Sequence, residues 1–178
     1  MDFVIALSAL LILTPLIMAA FALIKLTSHG PVIFRQERIG KNGRPFTMYK
    51  FRTMHIAAKS EFHERHSKSL IDNARPMLKM DAFGDPRIIP LGGLLRATAI
   101  DELPQLINVV KGEMSIVGPR PCLPFEYNAY NEFEKARFDS LPGMTGLWQV
   151  SGKNGLTFRQ MVRLDVIYAR GKSARAYL

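Results

Sequence analysis

The feature that most constrains this chain is an uncharged apolar run at its start. Residues 3–24 carry no charged side chain, and Asp2 is the only charge before Lys25. At roughly 1.5 Å per residue, a helix of this length just reaches across a hydrocarbon core. A run that is apolar on every side over six turns is the pattern of a helix facing lipid rather than one packed on a single face. A secretory signal peptide fits poorly, since the start is acidic and the apolar stretch too long. Thr14-Pro15 interrupts the run at its middle. Proline removes one backbone donor and clashes with the carbonyl four residues back, so a break or kink is expected there. The neighbouring Thr hydroxyl can satisfy a backbone group that the break frees. Hydropathy alone leaves two topologies open, a kinked spanning helix and a helix that enters, turns at Thr14-Pro15 and leaves by the same face.

The rest of the chain has the opposite character. Beyond residue 24 it carries 24 basic against 14 acidic residues, a net of +10 in a protein of 178 residues. Lys25, Arg35, Arg38, Lys41 and Arg44 follow the apolar run closely. An excess of cations flanking a membrane segment marks the cytoplasmic side, where anionic headgroups attract it. A nucleic-acid binder would also be basic, but the apolar tip argues against that class. With Cys122 as the single cysteine, an intrachain disulfide framework is impossible. The expected organisation is a membrane segment over 1–28 and one cytosolic domain over 29–178, of α/β (α+β) class. That domain would hold a small β-hairpin and several amphipathic helices.

His29-Gly30-Pro31 starts the soluble part. Residues 32–38 and 46–52 read as strands, joined through Gly40-Lys41-Asn42-Gly43, whose Asn-Gly pair signals a tight hairpin. A period of two places Lys50 and Arg52 on one face, a pair that can hold a phosphate. On these residues alone, a solvated edge strand is the preferred reading. Residues 55–70 are polar and weakly helical, and His63 with His66 lacks the further ligands a zinc site needs. Residues 81–90 read as loop.

The most informative segment is 91–112. Leu103, Leu106, Ile107 and Val110 follow helical spacing, with Gly112 as a stop. Two starts are possible: Thr98 as N-cap would place Pro104 at the sixth helical position, where its missing N–H hurts, whereas Asp101 as N-cap, the preferred start, places it in the first turn, where that matters least. Asp101 and Glu102 would then lie at the positive end of a helix. Arg96 lies just upstream, and Gly118-Pro119-Arg120-Pro121 follows, with two prolines fixing an extended backbone around Arg120. A guanidinium fork suits a phosphate. Residues 126–138 read as one helix with Tyr127, Tyr130 and Phe133 in the core. Residues 141–154 read as a Gly-rich loop of no recognised nucleotide-binding pattern. Residues 157–170 read as an amphipathic helix carrying Arg159, Arg163 and Arg170, suited to a membrane surface or to solvent.

Taken in order, five motifs follow the Pro-broken apolar start: Gly30-Pro31-Val-Ile-Phe-Arg-Gln-Glu-Arg-Ile-Gly40, Tyr49-Lys-Phe-Arg-Thr-Met54, Asp101-Glu-Leu-Pro-Gln-Leu-Ile-Asn108, Gly118-Pro-Arg-Pro121 and Pro142-Gly-Met-Thr-Gly-Leu-Trp-Gln-Val-Ser-Gly152. Nearly the whole chain resembles the bacterial sugar transferase family, the monotopic phosphoglycosyl transferases. The resemblance implies transfer of a phosphosugar from a UDP-sugar to polyprenyl (undecaprenyl) phosphate, with release of UMP. It implies Asp101 as the nucleophile, Glu102 as its partner, Mg²⁺ held by Asp101 and Glu102, and phosphate contacts from Lys50, Arg96, Arg120 and Lys153. For Lys50 it reverses the preference for a solvated edge strand. It also implies that Thr14-Pro15 makes a re-entrant helix in the bacterial inner membrane, with the catalytic domain on the cytoplasmic face. This would be the first membrane step of glycan assembly. Two departures stand out: position 153 is Lys where the family commonly has Arg, and relatives usually continue past the position of Leu178 with a membrane-facing helical segment. The competing expectation from another class is a membrane-tethered scaffold that keeps the fold without turnover.

Overall fold

The computed structural model describes residues 1–55, 85–152 and 155–171. The reading of 55–70 as weakly helical, with His63 and His66, lies almost wholly outside these residues, as does the loop reading of 81–84. The described chain is a mixture of helices and two small two-stranded sheets, the expected α+β character. It divides into two compact units, 1–36, 47–55 and 85–112 in the first, and 37–46, 113–152 and 155–171 in the second.

The first unit opens with two helices, α1 (Asp2–Ile12) and α2 (Thr14–Thr27), bent by 62° at their junction. The break falls where proline requires it, with Pro15 in the first turn of α2. Thr14 Oγ1 donates to the Leu10 carbonyl at 2.7 Å, which is the compensation expected of a hydroxyl at that place. Burial along the pair is inverted relative to a soluble helix. Ala6, Ala20 and Ile24 are buried, whereas Phe3, Leu11, Ile12, Met18 and Leu26 remain exposed. No single described helix is long and apolar enough to cross a membrane, but the bent pair passes that test together.

Strands β1 (Ile33–Ile39) and β2 (Pro45–Phe51) form the hairpin. Its connection is longer than a two-residue turn: a 3₁₀ turn over Lys41–Gly43, closed by Gly40 N–H donating to the Arg44 carbonyl at 2.8 Å. Asn42 and Gly43 both take positive φ, 57° and 71°, the conformation for which Asn-Gly is suited. The first unit continues with α3 (Gly92–Ala97), a 3₁₀ turn over Ile100–Glu102, and α4 (Gln105–Val110). Ala20, Ile24, Val32, Phe51, Ile89 and Leu95 form its core, and α1 packs on α4. The helix after the acidic pair therefore starts later than expected. Asp101 lies in the 3₁₀ turn and Pro104 stands at the cap, because Ala99 at φ 57° redirects the chain and i→i+3 bonds recur as far as Ile107.

The second unit holds β3 (Ser115–Val117), α5 (Pro124–Ala129), α6 (Glu132–Lys135), β4 (Gly143–Thr145), α7 (Leu147–Val150) and α8 (Phe158–Ala169). The single helix expected over 126–138 is instead two helices and a 3₁₀ turn. Asn131 breaks it by starting a new helix: its Oδ1 accepts from Glu134 N–H, while the Glu134 carboxylate accepts from Asn131 N–H. Tyr130 is buried as expected, but Phe133 is left half exposed. The Gly-rich stretch is not merely loop. β4 pairs in parallel with β3, Ser115 opposite Gly143 and Val117 opposite Thr145. A Cβ on Gly143 would lie 2.1 Å from the Gly118 nitrogen, so glycine is needed there for close backbone approach. Ile39, Cys122, Tyr130, Phe138, Phe158, Met161, Val162 and Val166 make the core.

Candidate active site

Asp101 and Glu102 are presented by the short 3₁₀ turn between α3 and α4. Asp101 is buried, and Glu102 reaches from the same turn to Lys50 on β2, with Oε1 2.9 Å from Nζ. Both partners of that pair keep about a third of their side-chain surface in contact with solvent, 27% for Lys50 and 35% for Glu102. An exposed pair of this kind contributes little to stability, on the order of 0–1 kcal/mol, so its members can exchange partners cheaply. Lys50 thus stands beside Glu102.

The remaining expected residues divide. Arg96, in the last turn of α3, has Nη1 3.5 Å from Thr53 Oγ1. The Asp85 carboxyl is held down to about 2, chiefly by the direct Arg87 fork, with the charge of Arg96 as a small addition. Arg52 does not share the task of Lys50. It is buried, and its guanidinium donates to the Ser28 hydroxyl, the Ser28 carbonyl and the Pro31 carbonyl, so it ties the strand end to the segment leaving α2. The pairing of Lys50 with Arg52 expected from strand period fails because β2 ends at Phe51 and Arg52 turns inward. Lys153 lies outside the described residues.

Arg120 belongs to the second unit, where it meets a set of buried charges that sequence reasoning missed. Its Nη1 lies 3.5 Å from Glu126 Oε1, and Glu126 also accepts from the Leu123 N–H at 2.7 Å. Burial opposes the Glu126 charge, yet Arg120 and the Leu123 N–H outweigh it and hold the carboxyl below its usual range. Arg137 and Asp165 form a completely buried ion pair. Arg137 Nη2 also donates to the Arg120 carbonyl at 2.8 Å, and Nη1 to the Tyr130 hydroxyl at 3.0 Å. Asp165 Oδ2 accepts the Arg120 N–H at 3.4 Å. Burial pushes the Asp165 carboxyl up to about 6, against the pull of the Arg137 charge. A signal for it exists in the sequence: Asp165 sits within the buried stripe Phe158, Met161, Val162, Val166 of α8, where an acid needs a partner.

The donor set around Glu102 suits a hard cation. Mg²⁺ is bound through one or two carboxylates plus substrate phosphates and water rather than by an all-protein cage. Asp101 and Glu102 offer adjacent carboxylates of this type. Among the described residues no group of three or more His, Cys, Asp and Glu could hold a metal by itself. Two adjacent carboxylates would leave most ligands of such a cation to be supplied from elsewhere.

The first unit thus presents an acidic pair on a tight turn, one carboxylate buried and the other paired to a lysine. The bacterial sugar transferase family profile matches residues 1–178, and the chain belongs to that family, among enzymes of the transferase class. It is similar to the galactosyl transferase CpsE of Streptococcus agalactiae, 48% identical over 141 residues, which cover 78% of this chain and 30% of that protein. The exopolysaccharide production protein ExoY of Sinorhizobium fredii is 37% identical over 99% of this chain and 78% of its own length. The undecaprenyl-phosphate galactose phosphotransferase of Salmonella typhimurium is 38% identical over 95% of this chain and 35% of its own length.

Proposed function

We propose that this chain transfers a phosphosugar from a UDP-sugar to undecaprenyl phosphate, through a covalent intermediate on Asp101. The observation that carries this reading is the Asp101-Glu102 turn with Lys50 against Glu102, found in a chain whose relatives are named for undecaprenyl-phosphate and lipid-carrier sugar transfer. The Asp101 carboxylate attacks the sugar-bearing phosphorus of the UDP-sugar. An O–P bond forms, the bond to the UMP oxygen breaks, and UMP leaves with that electron pair. A phosphate oxygen of the lipid carrier then attacks the same phosphorus and the Asp101 carboxylate is released. No proton is gained or lost between the phosphate groups. Polyprenyl diphosphosugar and UMP are the products, and the kinetics are ping-pong.

Bringing two anions to a carboxylate requires opposing charge. Lys50 lies beside the pair for this purpose, and the motif resemblance assigns phosphate contacts to Arg96, Arg120 and Lys153. Asp101 and Glu102 would hold Mg²⁺ together with the diphosphate; when bound, the ion neutralises developing charge on the phosphate oxygens. The exposed apolar residues of α1 and α2 support insertion of the bent pair into the bilayer, with the rest of the chain on the cytoplasmic face of the inner membrane. The re-entrant course rests on the family resemblance. A cysteine at position 2, in a Cys122→Ala background, should label from the same side as the body; labelling from the opposite side would show a spanning helix.

Purified protein with Mg²⁺ and a panel of UDP-sugars tests the chemistry. Sugar-dependent UMP and an intact-mass adduct of one phosphosugar are expected before lipid is added, and both should vanish in Asp101→Asn. Phosphate binding without UMP from any sugar would instead favour a scaffold that has kept the fold and lost turnover.

A further inference from the structure

Asn108, on α4, is completely buried. Its amide is spent on the backbone of β2: Nδ2 donates to the Thr47 carbonyl at 2.7 Å, and Oδ1 accepts the Tyr49 N–H at 3.1 Å. In a strand, residues two apart direct their backbone groups to the same edge. At the other parity, Arg52 N–H bonds to the Val32 carbonyl on the β1 side. The Asn108 amide therefore acts as a one-residue strand partner along the edge that β1 leaves open.

A closed circuit results. Asn108 holds β2 at Thr47 and Tyr49. The adjoining Lys50 reaches Glu102, and the turn bearing Glu102 leads through Pro104 back into the helix that bears Asn108. The two closures differ in strength. The Lys50–Glu102 pair is partly exposed and too weak to set a register by itself. The two hydrogen bonds of a buried amide are directional, and either backbone group would be left without them if the side chain were shortened.

Resting on the reading of Asp101 and Glu102 as the reacting pair, we propose that Asn108 is a positioning residue. It fixes β2 so that Lys50 meets Glu102 and the Asp101 turn is held ready for attack. An asparagine is suited to this task because one planar group must both donate and accept at a spacing of two residues.

The test is a double-mutant cycle on the full chain in detergent or lipid nanodiscs, reading phosphosugar adduct formation and thermal melting together. Asn108→Ala should lower kcat for adduct formation roughly tenfold or more, with KM for the UDP-sugar little changed. In a Lys50→Met background the same substitution should have much less effect. Equal fold-losses in both backgrounds would show that Asn108 acts on the fold generally and would overturn the proposal. Should Asn108→Ala lose its cooperative melt, Asn108→Asp, which retains an acceptor for the Tyr49 N–H, carries the same cycle. Loss of the melt in both variants also overturns it in favour of a general structural task. If wild-type protein forms no adduct and releases no UMP with any UDP-sugar, the functional reading fails by itself. The melting cycle then still decides the circuit: non-additive shifts support it, and additive shifts refute it.

Discussion

Replacing Arg137 by Met removes one partner of an ion pair from which solvent is fully excluded. Among the described residues, Asp165 would keep only the Arg120 N–H at 3.4 Å, and the Arg120 carbonyl and the Tyr130 hydroxyl would each lose a donor. Breaking a buried pair from one side costs about 3–5 kcal/mol, because the remaining charge stays desolvated. For a chain of this size each kcal/mol moves Tm by about 2–4 °C, so a fall of roughly 6–20 °C is expected. The sign with pH follows from burial. Without Arg137, desolvation raises the Asp165 pKa further above its unfolded value, so the carboxyl is neutral in the native state at low pH and must ionise as pH rises. The deficit should therefore be smaller near about pH 5 than near about pH 8. Thermal melts of wild type, Arg137→Met and Arg137→Met/Asp165→Leu measure it, with identical detergent and lipid. The double variant should recover much of the loss, since apolar residues of similar volume often replace a buried pair without penalty. A single variant within about 2 °C of wild type, or a double variant as unstable as the single, would refute this account of the pair.

Two further outcomes follow from local geometry. The Asp85 carboxyl is held at about 2 by Arg87, below its unfolded value of 3.8, so its contribution is present above about pH 4 and is lost as pH falls through about 2; acid-unfolding curves of Asp85→Asn should be flatter across that window, and an unchanged curve would show that the Arg87 fork does not stabilise the fold. Gly143→Ala should destabilise, against the roughly 0.5–1 kcal/mol that Ala ordinarily gains over Gly in a strand, because the added methyl meets backbone at Gly118 and Thr145; a melt within error of wild type would show that the two strands can separate freely.

What the sequence disclosed, it disclosed through patterns of short range. The proline break, the positive φ of Asn42 and Gly43, the capped helix α8 and the acidic turn all follow from residues within four or five positions of each other. Thr157 and Gln160 form the capping box that starts α8 one residue from where periodicity placed it. The failures are of two kinds. Helical period over 126–138 concealed a second N-cap at Asn131, because Asn is tolerated in a helix yet favoured at a cap. Strand period grouped Arg52 with Lys50, although a buried partner at Ser28 decides where the guanidinium goes. Long-range pairing was the larger gap. Nothing near Gly143 in sequence indicates a parallel partner at Ser115, and nothing near Asn108 indicates a strand edge at Thr47.

Exposure separates the charges that can take part in a reaction from those that build the frame. The proposed transfer requires cations and carboxylates to surrender one partner and accept another as UDP-sugar, UMP and lipid phosphate come and go. Only a pair whose breaking costs little can do this. Lys50–Glu102, roughly a third open to solvent, meets that condition. Arg137–Asp165 does not, because either charge without the other would be stranded in the core, and it is accordingly occupied with the backbone on both sides of Arg120. Arg120 combines the two conditions: its main chain is fixed by the buried pair, while a quarter of its side-chain surface remains open. Along α1 and α2, Ala6, Ala20 and Ile24 are buried, and most of the large apolar side chains are left outside. The exposed side chains together form an apolar surface of the kind that marks an interaction or membrane site, which is what the proposed insertion uses.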